Sequence, residues 1–355
     1  MTDIVFILPP DRNIAIGGYK VVYEYANRLS KRGWRVSIGY SCRNVGMTYK
    51  LPTLIRMMLV KLVSEYRRFI YPRWFKLTPK VKKFCIYNDN DVPKCDVMVA
   101  TACGTASLVS KQTSYKKFYL IQGYETWGGR TEDEVKATYS LGLHNIVIAE
   151  WLKNIVDESC GKDNSILIPN GIDLQEFSLD IPPAERKVKR ICMLYHKGEY
   201  KGSKFGIKAL IMLKTIYPEL QAVLFGVPPR PNALPRWIDY VQNASSLQLR
   251  HIYNDSQLYL YPAIEEGFGL TCVESMACGC ALCSTDYRGV HEFAVDKENA
   301  LLSPVRDVEA MVKNASLLLS DDSLRIKLAE KGHECVQMFD WEKSVDKLEK
   351  IFIQS

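Results

Sequence analysis

The sequence predicts an α/β protein built from two Rossmann-like domains, on three observations. The chain has 355 residues, more than one hydrophobic core usually organises. Short apolar runs alternate with segments of helical spacing along most of its length. The alternation breaks once, at residues 169–190, and then begins again.

The first series opens with the apolar run Ile4–Leu8, followed by Gly17-Gly18. Val21, Val22, Tyr25 and Leu29 then recur at helical spacing up to Gly33. Trp34–Tyr40, Val97–Ala100, Phe118–Gln122 and Ile146–Ala149 read as further strands. The break holds Pro169-Asn170-Gly171-Ile172-Asp173, a Pro182-Pro183 pair and a charged run, the composition of a linker. The second series reads as strands at Ile191–Tyr195, Gln221–Phe225, Leu258–Tyr261 and Ala281–Ser284. Helices are expected at Gly206–Ile216, Cys272–Cys278, Val308–Leu319, Ser323–Met338 and Trp341–Ile353. The domains expected are residues 1–175, residues 176–338, and a terminal helix over 339–355. In such parallel sheets ligands bind beyond the carboxyl ends of the strands, and the cleft between two such domains is the default site.

Composition narrows the class. Hydrophobic residues make up 47% and charged residues 25% of the chain, the profile of a globular protein. No apolar run reaches the length of a membrane span, and Ile4–Leu8 is too short for a signal peptide core. Eleven cysteines, odd in number and irregular in spacing, fit reduced thiols in a cytoplasmic protein. Cys278, Cys280 and Cys283 invite a zinc reading, but the fourth ligand would have to be a distant residue such as His291, and small buried packing residues explain them better.

The net charge of +7 is concentrated in one segment. Lys50, Arg56, Lys61, Arg67, Arg68, Arg73, Lys76, Lys80, Lys82 and Lys83 face Glu65 alone. Inside this segment Leu51, Leu54, Ile55, Met58, Leu59, Leu62, Val63 and Tyr66 form an apolar stripe at helical spacing, and Tyr71, Trp74 and Phe75 follow. A basic amphipathic helix with aromatics fits an anionic membrane surface. The bland alternative is a core helix with a solvated basic face. The aromatics do not interleave with the basic residues as a nucleic-acid stacking platform would, so no nucleic-acid partner is expected.

The chemistry concentrates at Tyr261–Glu292, which reads YPAIEEGFGLTCVESMACGCALCSTDYRGVHE. A strand ends near Tyr261, a loop carries Glu266, Gly267, Phe268 and Gly269, and a helix starts around Leu270. Two glycines let backbone amides approach a ligand. The free amides and dipole at Leu270-Thr271 favour an anion such as phosphate. Glu274, separated from the loop's Glu266 by seven residues, suits the two hydroxyls of a ribose, since an ionised carboxylate only accepts. Glu266 suits the hydroxyls of a sugar. Phosphate, ribose and sugar together describe a nucleotide-sugar. For either glutamate alone the competing reading is an acidic first turn on a helix dipole; the full string makes that reading hard to sustain.

This stretch resembles the E-x7-E signature of retaining GT-B glycosyltransferases, above all glycosyltransferase family four. EGFGLTCVESMACG and STDYRGVHE are similar to that family's donor loop, helix and following strand. Residues Ile168–Asp173 with Phe177 resemble its interdomain segment, Gly17-Gly18 its N-terminal glycine loop under the donor phosphates, and Lys201-Gly202 its pyrophosphate-contacting lysine. The resemblance implies a GT-B fold, two Rossmann-like domains facing across a cleft, with the terminal helix crossing back to the N-terminal domain. It also implies sugar transfer with retention, by front-face displacement and without a metal, from the donor to a glycan or lipid-linked acceptor, as in O-antigen or capsule synthesis. No D-x-D cluster suited to magnesium is seen. Asp89-Asn90-Asp91 falls in an expected surface turn before Pro93.

Two departures stand out. Tyr195–Lys201 lacks the family's second pyrophosphate cation, an arginine, and Lys197 or His196 is the candidate replacement. The middle strand ends in Gln122-Gly123-Tyr124-Glu125-Thr126-Trp127, where many relatives carry histidine. That string is similar to Q-x-x-E in rhamnosyltransferase-like members, which makes Glu125 a candidate acceptor base; pairing with Arg130 is the structural alternative. The expected catalytic residues are therefore Glu266, Lys201 and Glu125. The expected donor contacts are Gly17, Gly18, Lys197, Lys201, Glu266, Gly267, Phe268, Gly269, Leu270, Thr271 and Glu274. The rival readings are a nucleotide-sugar epimerase, a non-catalytic glycan-binding protein and an NAD-dependent dehydrogenase, the last opposed by the missing G-x-G-x-x-G after the first strand.

Overall fold

A computed structural model describes residues 2–10, 13–42, 52–113, 116–126 and 129–354. Lys50, Leu51 and Trp127 lie outside them. The chain divides into two compact units, residues 1–170 with 341–355, and residues 171–340.

The first unit runs β1 (Asp3–Leu8), α1 (Gly17–Lys31), β2 (Arg35–Ser41), α2 (Thr53–Ile70), β3 (Lys82–Ile86), β4 (Val97–Ala100), α3 (Cys103–Ser110), β5 (Lys116–Ile121), α4 (Glu132–Tyr139), β6 (His144–Val147), α5 (Glu150–Cys160) and β7 (Ser165–Leu167). Its seven strands lie in the order β3-β2-β1-β4-β5-β6-β7, all parallel. The central strands are buried along almost their whole length, which is why they read as continuous apolar runs.

The second unit runs β8 (Arg190–Leu194), α6 (Ser203–Ile216), β9 (Gln221–Gly226), β10 (Ile238–Gln242), α7 (Ser246–Asn254), β11 (Leu258–Tyr261), α8 (Leu270–Ala277), β12 (Ala281–Thr285), β13 (Ala300–Ser303), α9 (Val308–Ser320) and α10 (Asp322–Val336). Its parallel order is β10-β9-β8-β11-β12-β13. Leu210, Leu213, Leu258, Leu260, Met311 and Leu318 are fully buried members of its core.

The terminal helix α11 (Trp341–Gln354) belongs to the first unit. Its buried Trp341 meets the Tyr25 ring of α1 edge-on at 5.2 Å. Arg32, just past α1, reaches Glu342, Asp346 and Glu349 at 2.6, 2.6 and 2.9 Å, and these three carboxylates hold its guanidinium above its ordinary range. The unit boundaries fall at 170/171 and 340/341 rather than 175/176 and 338/339. The cause is a backbone pairing inside the second unit, where Ile172 N–H donates to the Phe339 carbonyl at 2.6 Å.

Helix α2 departs from one of the two sequence readings of the basic segment, the core helix with a solvated basic face. Only Val60 and Ser64 are buried. Leu54, Met58, Leu62 and Phe69 are 78%, 73%, 71% and 82% exposed, so this is no core helix. Trp74 and Phe75 do not extend the exposed face; they pack on Tyr23 at 5.7 and 5.3 Å. Lys82 and Lys83 lie on β3. Among the described residues no helix is long and apolar enough to cross a membrane.

Candidate donor site

The site is assembled in the second unit from the ends of β8 and β11 and the start of α8. After β8 the chain makes a short turn over Glu199–Lys201 and enters α6 through Gly202, in the left-handed conformation at φ 63°. A Cβ there would stand 1.8 Å from the Pro262 carbonyl oxygen, so only glycine lets this turn lie against the loop after β11. The Tyr200 carbonyl accepts from the amides of Ile264 and Glu265 at 2.7 and 3.2 Å, tying the two loops together.

This contact brings Lys201 to Glu266. The two form a direct ion pair, and the Tyr261 hydroxyl lies beside both, accepting from Lys201 Nζ at 3.3 Å and donating to Glu266 Oε2 at 2.9 Å. Burial pushes the Lys201 ammonium down to about 8.

Beyond Glu266 the loop turns through Gly269, at φ 113°, into α8. No side chain caps α8 and its first turn holds no acid. Its first backbone bonds come from the Cys272 and Val273 amides to Gly269, leaving those of Leu270 and Thr271 available to an anion. Phe268 is expected to contribute its backbone amide, and its ring is buried against Phe293 and Phe339, both at 5.5 Å. Gly267 is held from behind, since Gly289 comes so close that a Cβ there would meet the Gly267 oxygen at 2.6 Å. Glu274 is the more enclosed carboxylate, 5% exposed, with the Tyr253 hydroxyl 3.5 Å away.

Neither candidate for the second cation joins this cluster. Lys197 is exposed and makes no hydrogen bond or ion pair with it. His196 is pushed down by burial and by the Lys201 charge, and its Nδ1 accepts the Gly198 amide at 2.9 Å, so near neutrality it is uncharged.

In the first unit, Gly17 and Gly18 open α1, which also lacks a side-chain cap and first-turn acids. The Gln122 side-chain amide donates to the Gly18 carbonyl at 3.2 Å, and its oxygen, buried, has no partner among the described residues. Glu125 accepts the Cys103 amide at 3.0 Å and so caps α3, and burial pushes its carboxyl up while Arg130 works against that. Asp91 is occupied locally, accepting the amides of Tyr87 and Asn88 at 2.8 and 2.9 Å. Cys278, Cys280 and Cys283 are buried, and among the described residues no group of three or more His, Cys, Asp or Glu could hold a metal ion.

The residues that sequence reasoning missed are aromatic. Tyr253, Tyr259, Tyr261 and Tyr287 are all buried, and burial pushes each hydroxyl far above its ordinary range, so all four are neutral. Their hydroxyls go to Glu274, Thr271, Glu266 and the Phe268 carbonyl, in that order. The signal was present in Leu258-Tyr259-Leu260-Tyr261, whose period of two sends leucines to the core and tyrosines to the opposite face.

The two parallel α/β units define the GT-B class of fold. The HepE protein of Anabaena, solved in complex with UDP-glucose, superposes at a TM-score of 0.76 with 12% identity, covering 100% of both chains. Residues 176–334, most of the second unit, match the family model of glycosyl transferases group 1. The capsular polysaccharide biosynthesis glycosyltransferase CapM of Staphylococcus aureus is 24% identical, over 54% of this chain and 56% of its own. The phosphatidyl-myo-inositol mannosyltransferase of Mycolicibacterium smegmatis is 24% identical, over 56% of this chain and 54% of its own. The chain thus spans about half the length of the curated relatives it matches.

Proposed function

We propose that this protein is a retaining, metal-independent glycosyltransferase, moving a hexose-type sugar from a nucleotide-sugar to a glycan or lipid-linked acceptor in cell-surface polysaccharide synthesis. The observation that carries the reading is the cluster of Lys201, Tyr261 and Glu266 beside the uncapped start of α8, inside the segment that matches glycosyl transferases group 1. Lys201 and the amides of Leu270 and Thr271 offset the charge on the departing diphosphate without a metal. Glu266 accepts from sugar hydroxyls and Glu274 from the ribose. The acceptor hydroxyl attacks on the face the diphosphate leaves, and its proton passes to the leaving oxygen. In the first unit, Gly17 and Gly18 present the amides of an uncapped helix, and Glu125 is the acceptor-side candidate, with one oxygen already held by Cys103.

The name of the Anabaena structure, a complex with UDP-glucose, supports a nucleotide-sugar donor, and the name of CapM supports a capsule-type pathway. The test is a thermal-shift and calorimetric panel of UDP-glucose, GDP-mannose and dTDP-glucose, followed by product analysis with and without acceptor. At least one donor is expected to stabilise the wild type. Glu274→Ala is expected to weaken that donor about tenfold or more, since a hydrogen bond to a charged group is worth about 1.5–3 kcal/mol. Unchanged affinity removes Glu274 from the ribose role, and turnover of the donor without acceptor favours an epimerase.

We also propose that α2 brings this cytoplasmic enzyme to the inner membrane face. Its exposed apolar side chains are accompanied by Arg56, Lys61, Arg67 and Arg68 against Glu65, the charge balance that anionic lipid attracts. Liposomes rich in anionic lipid are expected to float the protein, and a Leu54→Glu, Leu62→Glu, Phe69→Glu triple variant is expected to remain at the bottom. Failure of the wild type to float at low salt defeats this part alone.

A further inference from the structure

Strand β11 is buried on both faces, yet one face carries tyrosines. A buried hydroxyl is costly unless it finds a partner, so a strand needing only bulk is better served by valine or isoleucine. Here the hydroxyls of Tyr259 and Tyr261 both end on the loop and helix of the donor site. The two rings stack at 5.8 Å, and Tyr287 meets Tyr261 edge-on at 5.5 Å, so the Tyr261 side chain has little freedom. Its hydroxyl is the one of the four that touches two charged groups, Lys201 and Glu266.

In this structure the ammonium of Lys201 and the carboxylate of Glu266 satisfy each other. Both are mostly buried, with side chains 16% and 22% exposed, and parting them would leave each charge poorly solvated. A donor that draws Lys201 to its diphosphate and Glu266 to its sugar must break this direct contact. We propose that Tyr261 is a positioning residue of the donor site, a fixed neutral hydroxyl that remains hydrogen-bonded to Lys201 and Glu266 while the donor replaces the contact between them. It touches no substrate and acts through the two charged side chains. Its fixed ring sets where each of them stands before the donor arrives, which lowers the cost of binding. This rests on the donor reading given above.

The test is a double-mutant cycle on donor affinity, measured by titration calorimetry with UDP-glucose, GDP-mannose and dTDP-glucose each as probe. Tyr261→Phe removes one oxygen and keeps the ring, and is expected to weaken the bound donor about tenfold. In a Glu266→Gln background the same change is expected to cost less than threefold, because side chains that act as one unit are not additive. Tyr259→Phe, which takes a hydroxyl from the uncharged Thr271, is expected to cost less than threefold in either background. Equal losses from Tyr261→Phe in both backgrounds overturn the proposal, because a purely structural tyrosine gives that additivity. A Tyr261→Phe protein with a lowered melting temperature but wild-type affinity at low temperature overturns it as well. A wild type that binds none of the three probes overturns the donor reading and this inference with it. A wild type that binds, with an additive cycle, overturns this inference alone.

Discussion

Lys201→Met is expected to lower kcat/KM by about 10²–10³-fold with the donor that binds the wild type, the usual loss when one preorganised charge is removed from a developing anion. The effect is large because neither candidate for a second cation substitutes for it. His196 is uncharged near neutrality and Lys197 is not part of the cluster. The same change leaves Glu266 without its cation, with the Tyr261 hydroxyl as its remaining hydrogen-bond partner among the described residues. A loss of stability of about 3 kcal/mol is therefore expected too, and the kinetics should be measured well below the lowered melting temperature. A Lys201→Met enzyme with wild-type kcat/KM would remove Lys201 from the leaving-group role.

The pH dependence of the wild type follows from the same side chain, and activity and stability move in opposite directions. If Lys201 holds the donor diphosphate as proposed, binding needs its ammonium, and kcat/KM is expected to fall as pH rises through about 8. Between about 8 and the ordinary lysine value of 10.5 the unfolded chain holds a proton that the folded chain has released. Stability therefore rises with pH across that window, as far as this group decides it. Glu266, Tyr261, Tyr200, Cys272 and His196 are the titratable groups near Lys201. The three other than Glu266 and His196 are neutral at pH 7–8, since burial pushes the hydroxyls of Tyr261 and Tyr200 and the thiol of Cys272 up. A flat kcat/KM profile to pH 9 contradicts the assignment.

What the sequence made legible, and what it did not, divides along local and non-local causes. The loop around Gly267 and Gly269 and the helix start at Leu270 were readable because glycine spacing and the return of helical periodicity are local signals. Strands β3, β7, β10 and β13 were not read: they are similar in length to β4 and β11, which were read, but lack the unbroken buried run of those two. In β10, Asp239 and Gln242 also interrupt the apolar pattern. The stripe on α2 was plain, but a stripe does not say whether protein covers it; only the tertiary structure shows Leu54 and Phe69 uncovered. Arg186, part of the charged run in the expected linker, is 5% exposed, and its guanidinium donates to the carbonyls of Ile181, Tyr253 and Ser256. Glu125 caps a helix that begins 22 residues earlier in the chain. Neither partnership has a local signature. The tyrosine hydroxyls were missed for a related reason: in a buried strand a tyrosine counts first as bulk, and its polar end is informative only once its partner is known.

Gly202→Ala is expected to be the most damaging single methyl in the second unit. The backbone there is left-handed at φ 63°, which costs a non-glycine residue about 1–2 kcal/mol. The added carbon would also stand 1.8 Å from the Pro262 oxygen, a backbone atom that no rotamer change can move aside. Overpacking of this kind costs about 1–3 kcal/mol more, so a loss of about 3–4 kcal/mol is expected in denaturant unfolding. The functional effect should exceed that of destabilisation alone. Gly202 and Pro262 are where the turn carrying Lys201 meets the loop carrying Glu266, and relief of the clash must move one from the other. Donor affinity at a temperature where the variant is fully folded should therefore still be reduced about tenfold or more. Gly33→Ala is the matched control, since Gly33 is also left-handed, at φ 93°, but a Cβ there meets nothing within 4 Å. It should lose stability from backbone strain alone and keep wild-type donor affinity. If Gly202→Ala behaves like Gly33→Ala, the contact between the two loops is not what holds Lys201 against Glu266.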